Sequence, residues 1–254
     1  MQNIKQKVGT VIVVRTSSKR LPNKALCKII DQESIAVLIK RMKRVNNSHQ
    51  IILATSTDKS DDILEKIAIK EGISFYRGSL DNVAQRYYEA AKKFELEQIV
   101  RITGDAIMCD EIMLEKAIEN QIVMGSDVTF IQNMPYGTAK EVFNYKTIET
   151  IALKAEKPEN TEYLEWYLEN NKIFNISYIK SNYVFDKSIR LTLDFEEDLV
   201  LFNRIFEHFK SDIDKFTLYD VLLFLKNNPE IIKINSHLTP KFSRNDLNLD
   251  LKNV

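Results

Sequence analysis

Three groups of residues have the types and spacing to do chemistry. The first is Arg15, Lys19, Arg20 and Lys24, set among the hydroxyls of Ser17 and Ser18 directly after the apolar run Val11-Ile-Val-Val14. A loop that carries cations, hydroxyls and free backbone N–H groups is suited to a polyanion. Arg matches phosphate through its planar fork, and Lys adds a point charge. Pro22 fixes the backbone where the loop ends. A solvated basic loop has the same composition, so phosphate binding and plain solvation both stay open on these residues alone. The second group is Arg101-Ile-Thr-Gly-Asp105, and the third is Arg190-Leu-Thr-Leu-Asp194-Phe-Glu-Glu-Asp198. Each sets an Asp at the end of an apolar run. Ligands of open α/β sheets sit at the carboxyl ends of the strands, which puts Asp105 in the same crevice as the basic loop. Asp105 could equally cap the helix that follows. Glu196, Glu197 and Asp198 are accounted for by the preference of acidic groups for a helix N-terminus, whereas Asp194 stands at the strand end.

The elements that must position these groups alternate. Strands are expected at 8–14, 50–54, 73–76 and 98–102, with helices at 34–44, 61–71, 83–94 and 110–119. On the first helix Ile35, Leu38, Ile39 and Met42 share one face. This βα alternation predicts an α/β fold, a mostly parallel sheet covered by helices on both faces. The middle is less regular. Strands are expected at 127–132, 141–143, 174–178 and 188–193, and helices at 146–153, 159–170, 196–209 and 217–227. The polar end, 243–254, lacks a core pattern and is expected to be loosely held. The whole reads as one domain over 1–237, with an insertion at about 130–187 and a tail at 238–254.

Composition narrows the function classes. The chain has 254 residues, 44% of them hydrophobic, enough for one large α/β domain. Lys plus Arg and Asp plus Glu are 36 each. General attraction to nucleic acid or to an anionic membrane is therefore not expected, and any basic site is local. Cys27 and Cys109 make no disulfide framework and suit a reducing cytoplasm. No run is long enough to span a membrane. Gly9 lacks the spacing of a dinucleotide fingerprint. His49, His208 and His237 have no metal-ligand spacing, and Cys109 has no neighbouring His for covalent catalysis.

The order Arg15-x-x-Ser18-x-Arg20-Leu21-Pro22-x-Lys24 resembles the signature loop of the cytidylyltransferases that charge sugars with CMP. These are the CMP-Kdo synthetases, the CMP-sialate synthetases and, most closely, the spore-coat polysaccharide cytidylyltransferases. The resemblance runs from about Val8 to Asn235. It implies a Rossmann-like nucleotidyltransferase sheet with an acceptor and dimerisation insertion, and a loop that wraps the triphosphate of CTP. Thr103-Gly104-Asp105 with Asp110 is similar to the family's Thr-Gly-Asp-x-Pro-x-x-Asp, whose first Asp holds a divalent cation. Arg190-Leu-Thr-x-Asp194 matches the segment that supplies the second carboxylate. Asp105 and Asp194 are thereby expected to hold Mg²⁺, which takes one or two carboxylates and completes its shell with waters and phosphates. The resemblance also implies nucleotide contacts from Ala54-Thr55-Ser56 near the base, from Arg77 and Arg86, and from Thr103. It places Tyr136, Gly137, Glu141 and Asn160 on the acceptor side. Four positions depart: Val14 for Ala, Ile107 for Pro, Ala139 for Asp and Asn160 for His. The last two fall on the acceptor side, which implies an unusual acceptor.

The expected activity is transfer of CMP from CTP to a sugar acid or a phosphorylated small molecule, with release of pyrophosphate. Arg15, Lys24, Asp105 and Asp194 are the expected catalytic groups. The expected partners are CTP and a small anionic acceptor, with a homodimer left open. Two competing functions use similar parts. A metal-dependent glycosyltransferase would show an Asp-x-Asp pair after a strand, which is missing here. A non-catalytic nucleotide-binding protein would have no need of both Asp105 and Asp194.

Overall fold

The computed structural model describes residues 6–169, 172–238 and 249–252. In chain order its strands are β1 (Val8–Val13), the short pair β2 (Lys28–Ile29) and β3 (Gln32–Glu33), β4 (Gln50–Ser56), β5 (Ser74–Gly78), β6 (Gln98–Thr103), β7 (Val128–Gln132), β8 (Glu141–Asn144) and β9 (Ile176–Lys180). The α-helices are α1 (Ser34–Met42), α2 (Asp62–Lys70), α3 (Val83–Lys93), α4 (Glu111–Met124), α5 (Tyr145–Lys154), α6 (Leu164–Glu169), α7 (Glu196–His208), α8 (Leu218–Asn227) and α9 (Pro229–Ile232).

β1 is buried at every position, as a strand covered on both faces must be. It pairs in parallel with β4 on one side and β6 on the other. The seven-stranded order is β5-β4-β1-β6-β8-β7-β9, and β8 is antiparallel to both of its neighbours. Successive parallel connections therefore run outward in opposite directions from β1 and β6, which makes the gap between their carboxyl ends a topological switch point. The register aligns Val13 with Ala54 and with Thr103, so the loops after β1, β4 and β6 begin at one level. Side chains alternate across β1. Val8 and Ile12 join the core under α1, α2, α4, α7 and α8, and Val11 and Val13 join the one under α3, α5 and α6. No helix among the described residues is long and apolar enough to cross a membrane.

Four expectations change. The β2–β3 hairpin was not expected, because two-residue strands carry no readable period. The segment 188–193 is not a ladder strand. It makes a single parallel bridge, Arg190 to Tyr136, and the N–H groups of Leu191 and Leu193 go to loop carbonyls of Tyr136 (2.8 Å) and Asp105 (3.0 Å). It crosses the end of the sheet, and its apolar side chains are buried there. The helix expected at 159–170 is broken into a turn at Pro158–Asn160 and α6. Thr161 causes the break. Its buried hydroxyl donates to Pro158 O and takes the N–H of Ala84 at 3.0 Å, which pins the turn to the start of α3. In the polar end, residues 249–252 are docked rather than loose. Leu251 bridges Ala155, Glu156 donates to Asp250 O, and Leu249 and Leu251 are buried beside α5.

Candidate active site

Gly104 and Val14 meet where β1 and β6 end. A Cβ on Gly104 would lie 2.6 Å from Val14 Cγ2, so the absence of a side chain at 104 makes room for the bulkier Val14. The turn continues to Asp105, and Ile107 packs into the core in the place of the family's Pro. From the other side, Gly137 (φ +93°) turns the chain against residues 191–192. A Cβ there would meet Leu191 O at 2.7 Å. These two close approaches bring the loop after β1, the Asp105 turn, the Tyr136–Lys140 segment and Asp194 together at the switch point.

Lys24 is the centre of the cluster. Its ammonium donates to Asp194 Oδ1 at 2.8 Å and lies 3.5 Å from Asp105 Oδ2. Arg20 Nη2 also donates to Asp194 Oδ1 at 2.8 Å, with its guanidinium over the Phe195 ring. Arg190 Nη2 reaches Asp194 Oδ2 at 3.2 Å. Behind them Asp198 is fully buried. It accepts from Arg190 Nε (3.0 Å), Asn235 Nδ2 (2.8 Å) and the backbone N–H groups of Asp194 (2.8 Å) and Phe195 (3.0 Å). Helix N-terminal preference alone does not account for Asp198. It is the buttress that aims Arg190 and Asp194 into the cleft.

The electrostatics are those of a cation-rich acid pair. Burial alone would raise the Asp105 carboxyl. The charges of Lys24 and Lys140 and the Thr103 hydroxyl outweigh burial and hold it well below the usual carboxylate range. Burial would lower Lys24, and the facing Asp105 and Asp194 reverse that and raise it. Asp105 Oδ1 is buried with no hydrogen-bond partner. Burial raises the Tyr136 phenol, and the phenol feels Arg190, Asp194 and Asp105, so it stands at the edge of this cluster with the Arg190 guanidinium against its ring.

The remaining expected site residues divide. Arg15 is exposed beside the cleft, with Nη1 3.4 Å from Leu80 O, and Ser18 is half-buried on the same loop. Arg86 is almost fully buried on α3, with Nε and Nη1 lacking partners, and burial pushes its guanidinium down to about 10. Thr103 is held by Lys140 Nζ at 3.0 Å. Other residues serve the framework. Ala54 is buried in β4 and offers its carbonyl to the N–H of Val14. The hydroxyls of Thr55 and Ser56 both donate to Asp61, which also takes the N–H and hydroxyl of Thr16 at 2.7 Å each. Asp61 thus ties the basic loop to β4, with both hydroxyls directed at its carboxylate. Arg77 is tied to Asp62, Glu65, Ser56 O and Asp58 O, a clamp on the start of α2. Glu141 pairs with buried Arg101 at 2.9 Å. Asn160 lies half-buried in the turn that Thr161 pins to α3. Asp110 caps α4 through the N–H groups of Ile112 and Met113 and accepts from the Tyr183 hydroxyl at 2.6 Å, so it is a structural acid.

Sequence reasoning included Lys140 only within the Tyr136–Glu141 stretch and gave it no role of its own, and it missed the buttress role of Asp198 and the clamp role of Asp61. Lys140 falls on one of the open positions between Gly137 and Glu141. Asp198 and Asp61 each had a simpler local explanation at a helix start.

Comparison with known proteins bears on the family and the fold. The family described as cytidylyltransferase matches residues 10–227. The chain is 31% identical over 240 residues to an uncharacterised protein of Methanocaldococcus jannaschii, covering 94% of this chain and 98% of that one. It is 27% identical over 227 residues to the spore coat polysaccharide biosynthesis protein SpsF of Bacillus subtilis, covering 87% and 94%. A solved cytidylyltransferase from Leptospira borgpetersenii superposes with a TM-score of 0.84 at 28% identity, over 93% of this chain and all of that one. The family match takes in the basic loop, the Asp105 turn and Asp194 alike, and on that ground the chain belongs to the cytidylyltransferases, as a CTP-dependent nucleotidyltransferase.

Proposed function

We propose that the protein transfers CMP from CTP to a small anionic acceptor, a sugar acid or a phosphorylated small molecule, and releases pyrophosphate. The observation that carries this reading is the pair of carboxylates, Asp105 and Asp194, meeting at the switch point with Lys24 between them. In the reaction an acceptor oxyanion, which a hydroxyl acceptor becomes by giving its proton to water, attacks the α-phosphorus in line, the bond to the bridging oxygen breaks, and its electron pair leaves on pyrophosphate. Arg15, Arg20 and Lys24 neutralise the outer phosphates and the charge that grows on the leaving group. Buried Arg86, with donors unmet, adds a cation on the nucleotide side. Tyr136, on the turn fixed by Gly137, bounds the acceptor side. Catalysis rests on positioning and electrostatics, which suffice for phosphorus transfer without a protein nucleophile.

The residues fit a hard divalent cation such as Mg²⁺. Asp105 Oδ1 is a buried oxygen without a partner, and an ammonium already bridges the two carboxylates. No group of three or more His, Cys, Asp or Glu among the described residues could hold a metal by itself, so the rest of the shell would be water and phosphate oxygens. When bound, the ion supplies Lewis-acid polarisation of the phosphate and a template for the two substrates. The similarity to SpsF supports a role in surface polysaccharide or glycan modification. Two free cysteines fit a cytoplasmic setting.

The test is incubation with CTP, Mg²⁺ and a panel of sugar acids and sugar phosphates, with pyrophosphate release as the readout. Turnover with at least one anionic acceptor is expected. Failure to bind CTP, or release that is independent of every acceptor, refutes the reading.

A further inference from the structure

Lys140 precedes β8, on the segment that begins at Tyr136 and faces the switch point. Its ammonium is half-buried and donates to the hydroxyl of Thr103, the last residue of β6. That hydroxyl in turn supports the carboxylate of Asp105, and the charge of Lys140 helps hold that carboxyl ionised. Its other near neighbours are already neutralised. Arg101 takes Glu141 at 2.9 Å and lies 3.6 Å from Glu165, and the Asp194 carboxylate is shared by Arg20, Lys24 and Arg190. No acidic group among the described residues lies within ion-pair distance of Lys140, and position 139 on the same turn is Ala. A partly desolvated ammonium with one neutral hydroxyl for a partner keeps two N–H donors for an anion. It belongs to the Tyr136–Lys140 segment, distinct from the loop that carries Arg15 to Lys24.

We propose that Lys140 is the residue that recognises the acceptor, by binding its carboxylate or phosphate next to Asp105. The assignment rests on the cytidylyltransferase reading, because that reading sets which side of Asp105 the acceptor enters. Thr103 fixes the direction of the ammonium, so the anion is read at one place along the acceptor. An acceptor without an anion there leaves a half-buried cation unpaired, the kind of mismatch by which polar sites reject analogues. The two anion sources differ in consequence. A carboxylate at Lys140 belongs to a sugar acid that attacks through a hydroxyl and gives a CMP-linked product. A phosphate attacks through its own oxygen and gives a CDP-linked product.

The test compares the wild-type chain with Lys140→Met, which keeps the stem and removes the charge, and with Lys140→Arg. Each protein, loaded with CMP and Mg²⁺, is titrated with inorganic phosphate and separately with glycolate, the smallest stand-ins for the two acceptor ends. Binding is followed through the amide signals of Thr103, Tyr136 and Gly137. Saturable binding of one anion is expected in the wild type, at least tenfold weaker in Lys140→Met and largely restored in Lys140→Arg. Tenfold corresponds to about 1.4 kcal/mol. CTP affinity, measured by calorimetry, should change less than twofold. Equal anion affinity in Lys140→Met, no saturable binding of either anion to the wild type, or a tenfold loss of CTP affinity each overturns the assignment. Failure of the wild-type protein to bind CTP refutes instead the transferase reading on which it rests.

Discussion

Replacing Lys24 by Met should make the protein less stable, weaken CTP binding and strengthen divalent-cation binding, all from one lost ammonium. The ammonium lies 2.8 Å from Asp194 Oδ1 and 3.5 Å from Asp105 Oδ2, with side-chain exposures of 19%, 7% and 23% in the order Lys24, Asp194, Asp105. At an effective dielectric constant near 20, those separations give gross attractions of roughly 6 and 5 kcal/mol. Much of this is offset by the cost of burying the ammonium, which acts on Lys24 in the opposite sense. Removing one member of a buried charge cluster costs about 3–5 kcal/mol, because the remaining charges stay buried and uncompensated. Arg20 and Arg190 still reach Asp194, so the lower end of that range is expected here. Asp105 has only Lys140 left nearby, and the two carboxylates become a stronger site for a divalent cation.

Thermal melts with and without Mn²⁺, no nucleotide present, check this directly. The variant should melt well below the wild type without Mn²⁺ and recover most of the difference at millimolar Mn²⁺, whereas Mn²⁺ alone should move the wild type little. Calorimetry should show CTP affinity falling more than CMP affinity, since CMP lacks the outer phosphates. If Mn²⁺ shifts both proteins equally, Lys24 does not occupy the space between the carboxylates and the reasoning fails.

Asp105→Asn and Asp194→Asn should keep the fold and lose metal-dependent turnover by several kcal/mol of transition-state stabilisation, read as kcat in the pyrophosphate assay at saturating Mg²⁺. Arg15→Ala should weaken CTP more than CMP in calorimetry with little change in melting temperature, because the side chain is exposed and makes one long contact, 3.4 Å to Leu80 O. Stability should be flat through neutral pH and fall at both ends, as read by denaturant midpoints. Asp105 is depressed in the folded chain, so its contribution is full above the unfolded value near ~4 and is lost as pH falls through the folded value. Lys24 is raised, so its contribution is full below the unfolded value near ~10.4 and is lost as pH rises through the folded one. Met at position 24 should remove the alkaline limb.

The parallel half of the fold was legible because its strands are continuous apolar runs and its helices carry a 3.6-residue apolar face. Asp105 and Asp194 each end such a run, but it was the resemblance to the family's two acidic motifs that joined them as a pair. What could not be read was whatever depends on a single polar contact. Thr161 breaks a helix that apolar spacing alone extends through it, by pinning its hydroxyl to the start of α3. Residues 188–193 have the composition of a strand, but the N–H groups of Leu191 and Leu193 go to the carbonyls of Tyr136 and Asp105 in loops rather than to a ladder. Lys140 looks like any surface lysine until the register of β8 against β6 puts it over Thr103.

The basic loop shows why residue type alone cannot separate ligand contacts from the groups that hold them. Thr55, Ser56 and Arg77 have the chemistry of nucleotide binders, yet all three serve the junction between β4 and α2. Asp61 is the common point: it takes both hydroxyls and the N–H of Thr16, the residue after Arg15. Burial would raise its carboxyl, and the hydrogen bonds from Ser56, Thr16 and Thr55 reverse this and lower it, so it stays ionised. An ionised acid anchoring the root of a cationic loop does two things at once. It fixes where Arg15 leaves the sheet, and it leaves the more distant Arg20 and Lys24 for the carboxylates and, in the proposed reaction, for the phosphates. The loop is rigid at its first residues and charged at its last, which is the order a triphosphate site needs: a fixed origin, with cations that can exchange a protein carboxylate for a substrate oxygen.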